Sequence, residues 1–107
     1  MPVELTNDNF ATEIEAATVP VVIDVYAVWC GPCQQMAPLF DELAQELQGQ
    51  VKFAKLNVDH VRDLAIKWGV SSVPTFIFYQ AGQIVGRATG YMNKRELQAK
   101  MAAVFKT

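Results

Sequence analysis

Val21-Val22-Ile23-Asp24-Val25-Tyr26-Ala27-Val28-Trp29-Cys30-Gly31-Pro32-Cys33-Gln34-Gln35-Met36 is the stretch on which the fold turns. Its first half is a β-branched apolar run interrupted by one carboxylate, and such a run reads as a strand buried on both faces. Its second half holds the only two cysteines of the chain at a two-residue spacing, and helix-forming residues follow. The order is strand, thiol pair, helix.

Two thiols three positions apart can close a small disulfide ring, because Gly31 lets the backbone turn tightly and Pro32 presets φ for a first helical turn. The first thiol then sits where the helix begins. Unpaired N–H groups and aligned peptide dipoles favour an anion there, so Cys30 is the expected nucleophile, its pKa lowered. Cys33 lies one turn further in, on the side facing the sheet. Lower exposure is expected to keep it a protonated thiol until it resolves a mixed disulfide. The same spacing is half of a zinc or iron–sulfur site. Zinc takes four ligands, however, and two cysteines with one histidine, His60, would need carboxylates or a second chain to complete the set. Redox chemistry is the preferred reading, and His60 is expected to be solvated.

Asp24 shares a strand face with Val22 and Tyr26, a poor place for a charge. An unpaired buried carboxylate raises its pKa and stays protonated, and Lys55 on the adjoining strand is the expected partner.

At these residues the chain resembles the thioredoxin family. Trp29-Cys30-Gly31-Pro32-Cys33 is similar to its active-site motif, and the other family marks are Asp24, Pro38, Lys55-Leu56-Asn57-Val58-Asp59, Val73-Pro74-Thr75, Gly82 and Gly90. The resemblance spans nearly the whole chain. It implies an α/β thioredoxin fold, a mixed five-stranded sheet in the order 1-3-2-4-5 flanked by four helices, with the redox pair past the carboxyl end of the central strand. It also implies a catalytic set of Cys30, Cys33, Asp24 and Lys55, in which Asp24 takes the Cys33 proton through a water. Around it, a cis bond between Val73 and Pro74 faces the cysteines, and the Val73 backbone pairs with an extended substrate segment. Trp29, Gly31, Pro32, Gly90 and Tyr91 then complete a flat apolar patch around Cys30. Three positions depart from the family pattern. Tyr26 stands where a bulkier ring is frequent, Val28 where an acidic or polar residue is usual, and Gln34 where lysine is common, so local charge is lost or altered.

Size and composition agree with this reading. The 107 residues make one domain, 1–107, large enough to bury a core without metal or disulfide staples. The net charge of −2, with both signs interspersed, offers no phosphate-neutralising stripe, so nucleic acid is excluded as a partner. The apolar run Val73 to Tyr79 is far short of the ~18 residues of a membrane span. Met1-Pro2-Val3-Glu4 has neither the basic flank nor the apolar core of a signal peptide, so a cytoplasmic protein is expected. Reducing conditions there disfavour a permanent structural disulfide and favour a catalytic pair.

Periodicity supplies the rest of the chain. Val3 and Leu5 open a short strand, and Thr6 caps a helix with Phe10, Ile14 and Ala17 on one face. A strand from Val21 to Ala27 leads to a helix from Pro32 to about Gln48, in which Pro38 removes a backbone hydrogen bond. Strands are expected at Val51–Val58, Thr75–Tyr79 and Gln83–Thr89, the last two joined by a tight turn at Ala81-Gly82. Between them Asp59 is expected to cap a short helix that turns Val61, Leu64, Ala65 and Trp68 inward. Asn93 and Glu96 form a capping box that opens a last helix.

The function these residues imply is a monomeric thiol–disulfide oxidoreductase that reduces disulfides in other proteins and needs no bound cofactor. By resemblance it is regenerated by an NADPH-dependent flavoprotein reductase. A binding module using the same apolar patch without turnover is the alternative from another class, and an oxidant or isomerase on the same fold is a third. The Gly-Pro pair between the cysteines points to the reducing branch.

Overall fold

A computed structural model of the protein describes residues 2–106. Its centre is β2 (Val21–Tyr26), whose apolar run pairs in parallel with β3 (Lys52–Asn57) and antiparallel with β4 (Thr75–Gln80). A parallel neighbour requires a crossover, and α1 (Gly31–Glu46) supplies it. β1 (Val3–Glu4) adds in parallel to the free edge of β3, and β5 (Gln83–Thr89) adds antiparallel to β4, giving the order β1-β3-β2-β4-β5. α2 (Arg62–Lys67) connects β3 to β4, and α3 (Lys94–Val104) follows β5.

Side chains alternate across a strand, so the sheet carries two cores. On one face Val21, Ile23 and Val25 pack with Leu56, Ile77 and the Ala65 and Trp68 side chains. On the other, Val22, Phe53, Phe76 and Phe78 meet Met36, Phe40 and Leu43 of α1 and Leu97 and Met101 of α3. Asp24 falls, by parity, on this second face, under α1. Lys94 ties the two covering helices together through Glu42 and Glu46.

The strand boundaries agree with expectation to within a residue, and α1 begins one residue earlier and ends at Glu46, two residues before Gln48. Pro38 lies inside α1 without ending it. Both halves of the Asn93–Glu96 capping box are formed. The β4–β5 turn places Ala81 and Gly82 at φ 54° and 81°, the positive pair a two-residue hairpin demands.

Two helices differ from the periodicity reading. The first is a five-residue π-helical segment, Ala11–Glu15, held by the Ala16 N–H donating to the Ala11 carbonyl. Thr6 caps the turn before it instead, its Oγ1 accepting from the N–H groups of Asp8 and Asn9 while Asn9 Oδ1 accepts from the Thr6 N–H. Among the described residues the four helices are therefore three α-helices and this segment. In the second case Asp59 does not cap α2. Val61 stands at the N-cap with no side-chain hydrogen bond, and the Asp59 carboxylate is engaged elsewhere. His60 is exposed in the turn between β3 and α2.

Candidate active site

Where β2 ends, Ala27 to Trp29 carry the chain to Cys30, which is extended (φ −91°, ψ 113°) and serves as the N-cap of α1. Its sulfur does what a serine or aspartate oxygen does at other N-caps: Sγ accepts from the Cys33 N–H at 3.2 Å. Cys30 and Cys33 are disulfide-bonded, with their Cα atoms 5.2 Å apart. They pack against Ala27, Tyr26, Val58 and Val73. Cys30 is 5% exposed and Cys33 4%, so the difference in solvent access expected from sequence is not found in this oxidised form. What separates the two sulfurs is the backbone: one lies outside the helix and accepts an orphan N–H, the other lies on its buried stripe.

Neighbouring loops close around the pair. The Val73–Pro74 bond is cis, Cys30 Sγ lies 3.7 Å from the Val73 carbonyl oxygen, and the buried Pro74 accepts at its carbonyl from the Gly90 N–H at 2.9 Å. Gly90 holds φ 95°, a left-handed conformation that a side chain would strain. Gly31, Pro32 and Tyr91 are exposed. Gln34, one of the departures, donates from Nε2 to the Val28 carbonyl at 2.7 Å and pins the loop before Cys30 to the first turn of α1.

Trp29 is 69% exposed, and its indole N–H donates to Asp59 Oδ2 at 3.2 Å. That bond forms one wall of a groove of about 700 Å³, lined by Trp29, Val58, Ile66, Val70 and Val73, with Arg62 and Asp63 also at its lining. Asp59, Ile66 and Val70 were not among the sequence candidates. Ile66 is 74% exposed on α2 and lines the groove, and nothing in its local sequence marks it.

Asp24 is 1% exposed, and its Oδ1 has no hydrogen-bond partner. Burial pushes its pKa up to about 7, opposed by Lys55 and reinforced by Glu4 and Asp41. Lys55 lies in register with Asp24 across β2 and β3 but forms no ion pair with it, which corrects the expected pairing. Its ammonium sits instead over the Tyr26 ring, 4.6 Å from the centroid. Tyr26 in turn donates its hydroxyl to Glu4, 3.0 Å from each carboxylate oxygen. Burial and this bond push the Tyr26 pKa up to about 12. No group of three or more histidine, cysteine or acidic side chains able to hold a metal occurs among the described residues.

A disulfide that bridges a helix N-cap to the next turn, with an apolar groove at its side, is poised for exchange: a thiolate formed at Cys30 keeps the N–H that the disulfide sulfur already accepts. The chain is thus a thiol–disulfide oxidoreductase whose redox centre is its own cysteine pair. Comparison with known proteins agrees, since the family model described as Thioredoxin matches residues 1–103. The chain is 37% identical to a thioredoxin of Pseudomonas aeruginosa over 101 residues, 94% of each protein. It is 40% identical to a thioredoxin of Alicyclobacillus acidocaldarius over 100 residues, again 94% of each, and 37% identical to thioredoxin 1 of a Nostoc species over 94 residues, 88% of each. The chain belongs to the thioredoxin family.

Proposed function

We propose that the protein reduces disulfide bonds in other proteins, with Cys30 as attacking thiolate and Cys33 as resolving thiol. The observation that carries this reading is the Cys30 sulfur at the N-cap of α1, accepting the Cys33 N–H beside the Val73 carbonyl. In the first step the Cys30 thiolate attacks one sulfur of the substrate disulfide. A Cys30–substrate disulfide forms, and the other substrate sulfur leaves with the electron pair as a thiolate. In the second step Asp24 takes the Cys33 proton through a bridging water, and the Cys33 thiolate attacks Cys30 Sγ. The Cys30–Cys33 bond forms, and the second substrate sulfur leaves, reduced. Two electrons have passed from the dithiol to the substrate.

Asp24 suits the acceptor role because an acid whose pKa is raised to about 7 is matched to proton transfer at neutral pH. Lys55 lowers that value and so tunes the acid. Substrate would lie across Val73 and Pro74, between Trp29, Gly31 and Pro32 on one side and Gly90 and Tyr91 on the other, with the Trp29–Ile66 groove receiving an apolar side chain. The cycle needs no bound cofactor. Two electrons and two protons restore the dithiol, and an NADPH-dependent flavoprotein reductase is the proposed source. We place the protein in the cytoplasm as a monomer of one domain, 1–107; no helix among the described residues is long and apolar enough to cross a membrane.

The test is reduction of insulin-type disulfides with dithiothreitol as electron donor. Activity is expected from the native chain and lost in Cys30→Ser. Equal turnover in that variant would refute the role of Cys30, and binding of the substrate protein by the native chain without turnover would leave only a binding module. The redox potential of the pair then separates a reductant from an oxidant or isomerase, because a reductant must lie below the glutathione couple.

A further inference from the structure

One ammonium stands between two carboxylates on the α1 face of the sheet. Lys55 is in register with Glu4 of β1 on one side and with Asp24 of β2 on the other, yet it forms an ion pair with neither. The site it does occupy is the face of Tyr26, and the hydrogen bond that Tyr26 Oη shares between the two carboxylate oxygens of Glu4 holds that ring in place. A cation is attracted to the negative face of an aromatic ring, more strongly where water is scarce. We propose that Tyr26 is a positioning residue for the buried acid: tethered by Glu4, its ring holds the Lys55 ammonium off the Asp24 carboxyl and so preserves Asp24 as a proton acceptor.

The consequence follows from distance. An opposite charge brought within about 4–6 Å of a carboxyl favours its ionised form and lowers its pKa by about one to three units. Lys55 seated on Asp24 would leave an ionised but weakly basic carboxylate, a poor acceptor for a thiol proton. The charged and titratable groups that face Asp24 are Glu4 from β1, Tyr26 on β2 itself, Lys55 from β3 and Asp41 from α1. Of these, Lys55 is the cation, and Tyr26 decides where it sits.

The inference rests on the proposed role of Asp24, but its test does not. The Asp24 titration midpoint is read by carboxyl carbon NMR on the full chain with the Cys30–Cys33 disulfide intact, so that no thiol titrates beside it. Tyr26→Leu and Tyr26→Met remove the ring, whereas Tyr26→Phe keeps it. Each is measured alone and together with Lys55→Met. The Leu and Met variants are expected to lower the midpoint by about one pH unit or more, Phe, which keeps the ring but loses the Glu4 tether, to lower it by less, and all three to be without effect once Lys55 is gone. An equal fall with and without Lys55 would mean that the ring only shields Asp24 from water, and the proposal would be wrong. No fall at all would overturn it too. Whether Asp24 carries the Cys33 proton is settled separately, by the resolving rate of Asp24→Asn.

Discussion

Replacing Asp24 by asparagine should make the protein more stable and slower, and the structure sets the size of the first effect. The carboxyl is 1% exposed with Oδ1 unpartnered, and its pKa is raised from 3.8 to about 7, first by burial. Between those two values the unfolded chain has released a proton that the folded chain still holds. Rising pH therefore favours unfolding, and the stability associated with this group is present below about pH 4 and lost as pH climbs through about 7. At about 1.4 kcal/mol for each pH unit, the rise amounts to about 4 kcal/mol of destabilisation above neutrality.

Asparagine escapes that penalty. It brings an amide with two donors into the same buried site, and an unmet donor costs about 1–3 kcal/mol, so the net gain at about pH 8 is about 1–3 kcal/mol. At about pH 4 native Asp24 is largely protonated, the gain is gone, and the cost of the amide leaves the variant less stable by about 1–3 kcal/mol. The measurement is a pair of urea melts of native and variant protein, both oxidised, at the two pH values. Other carboxylates titrate in both proteins and cancel in the difference. A variant less stable at pH 8, or one stabilised equally at both pH values, would refute the buried-acid reasoning. Single-turnover kinetics supply the second half: the resolving step should slow, and an unchanged rate would remove Asp24 from the cycle.

Cys33→Ser should accumulate covalent complexes with substrate proteins on non-reducing gels, while Cys30→Ser should form none; equal trapping by both would reverse or void the roles. Gly86→Ala should destabilise by about 1–3 kcal/mol, because its Cβ would lie 2.8 Å from Val104 Cγ1 on α3, and Val104→Ala in the same chain should recover most of the urea midpoint. Asp59→Ala frees the Trp29 indole and loosens the groove, so KM for protein disulfides should rise with kcat unchanged while stability moves by less than about 0.5 kcal/mol. A matched fall in kcat would instead place Trp29 in the chemical step.

Most of the fold was legible because its signals are local and periodic. β2 reads as a buried strand from its composition, α1 from the stripe Met36, Phe40 and Leu43, and the start of α3 from a capping box that needs four consecutive residues. The redox pair was legible for the same reason. What sequence misread depends on a competitor elsewhere in the chain. Asp59 has the chemistry of an N-cap, but the Trp29 indole, thirty positions away in sequence, takes its carboxylate. Lys55 has the charge and register to pair with Asp24, but the Tyr26 ring offers it another site. The first helix keeps its apolar face yet closes as a π-helical segment, with Ile14 buried and Lys52 of β3 reaching Glu13 at 2.6 Å. Tyr26 and Gln34 read from sequence as departures from the family pattern that lose or alter local charge. In the folded chain one tethers Glu4 and the other fastens the active-site loop.

The near-equal burial of the two cysteines bears on which one attacks. If solvent access chose the nucleophile, sulfurs 5% and 4% exposed would compete. Helix geometry prevents that. Cys33, Met36, Phe40 and Leu43 fall at helical spacing on one stripe of α1, and the last three are fully buried against the sheet. Turning Cys33 outward would drag that stripe out of the core, at about 1.5–3 kcal/mol for each large side chain exposed. Cys30, outside the helix at the N-cap, carries no such load and already accepts the N–H that would stabilise its anion. In the proposed cycle the attacking sulfur is therefore the one that can meet a substrate without disturbing the core. The resolving sulfur is the one that α1 holds against the sheet face where Asp24 can receive its proton.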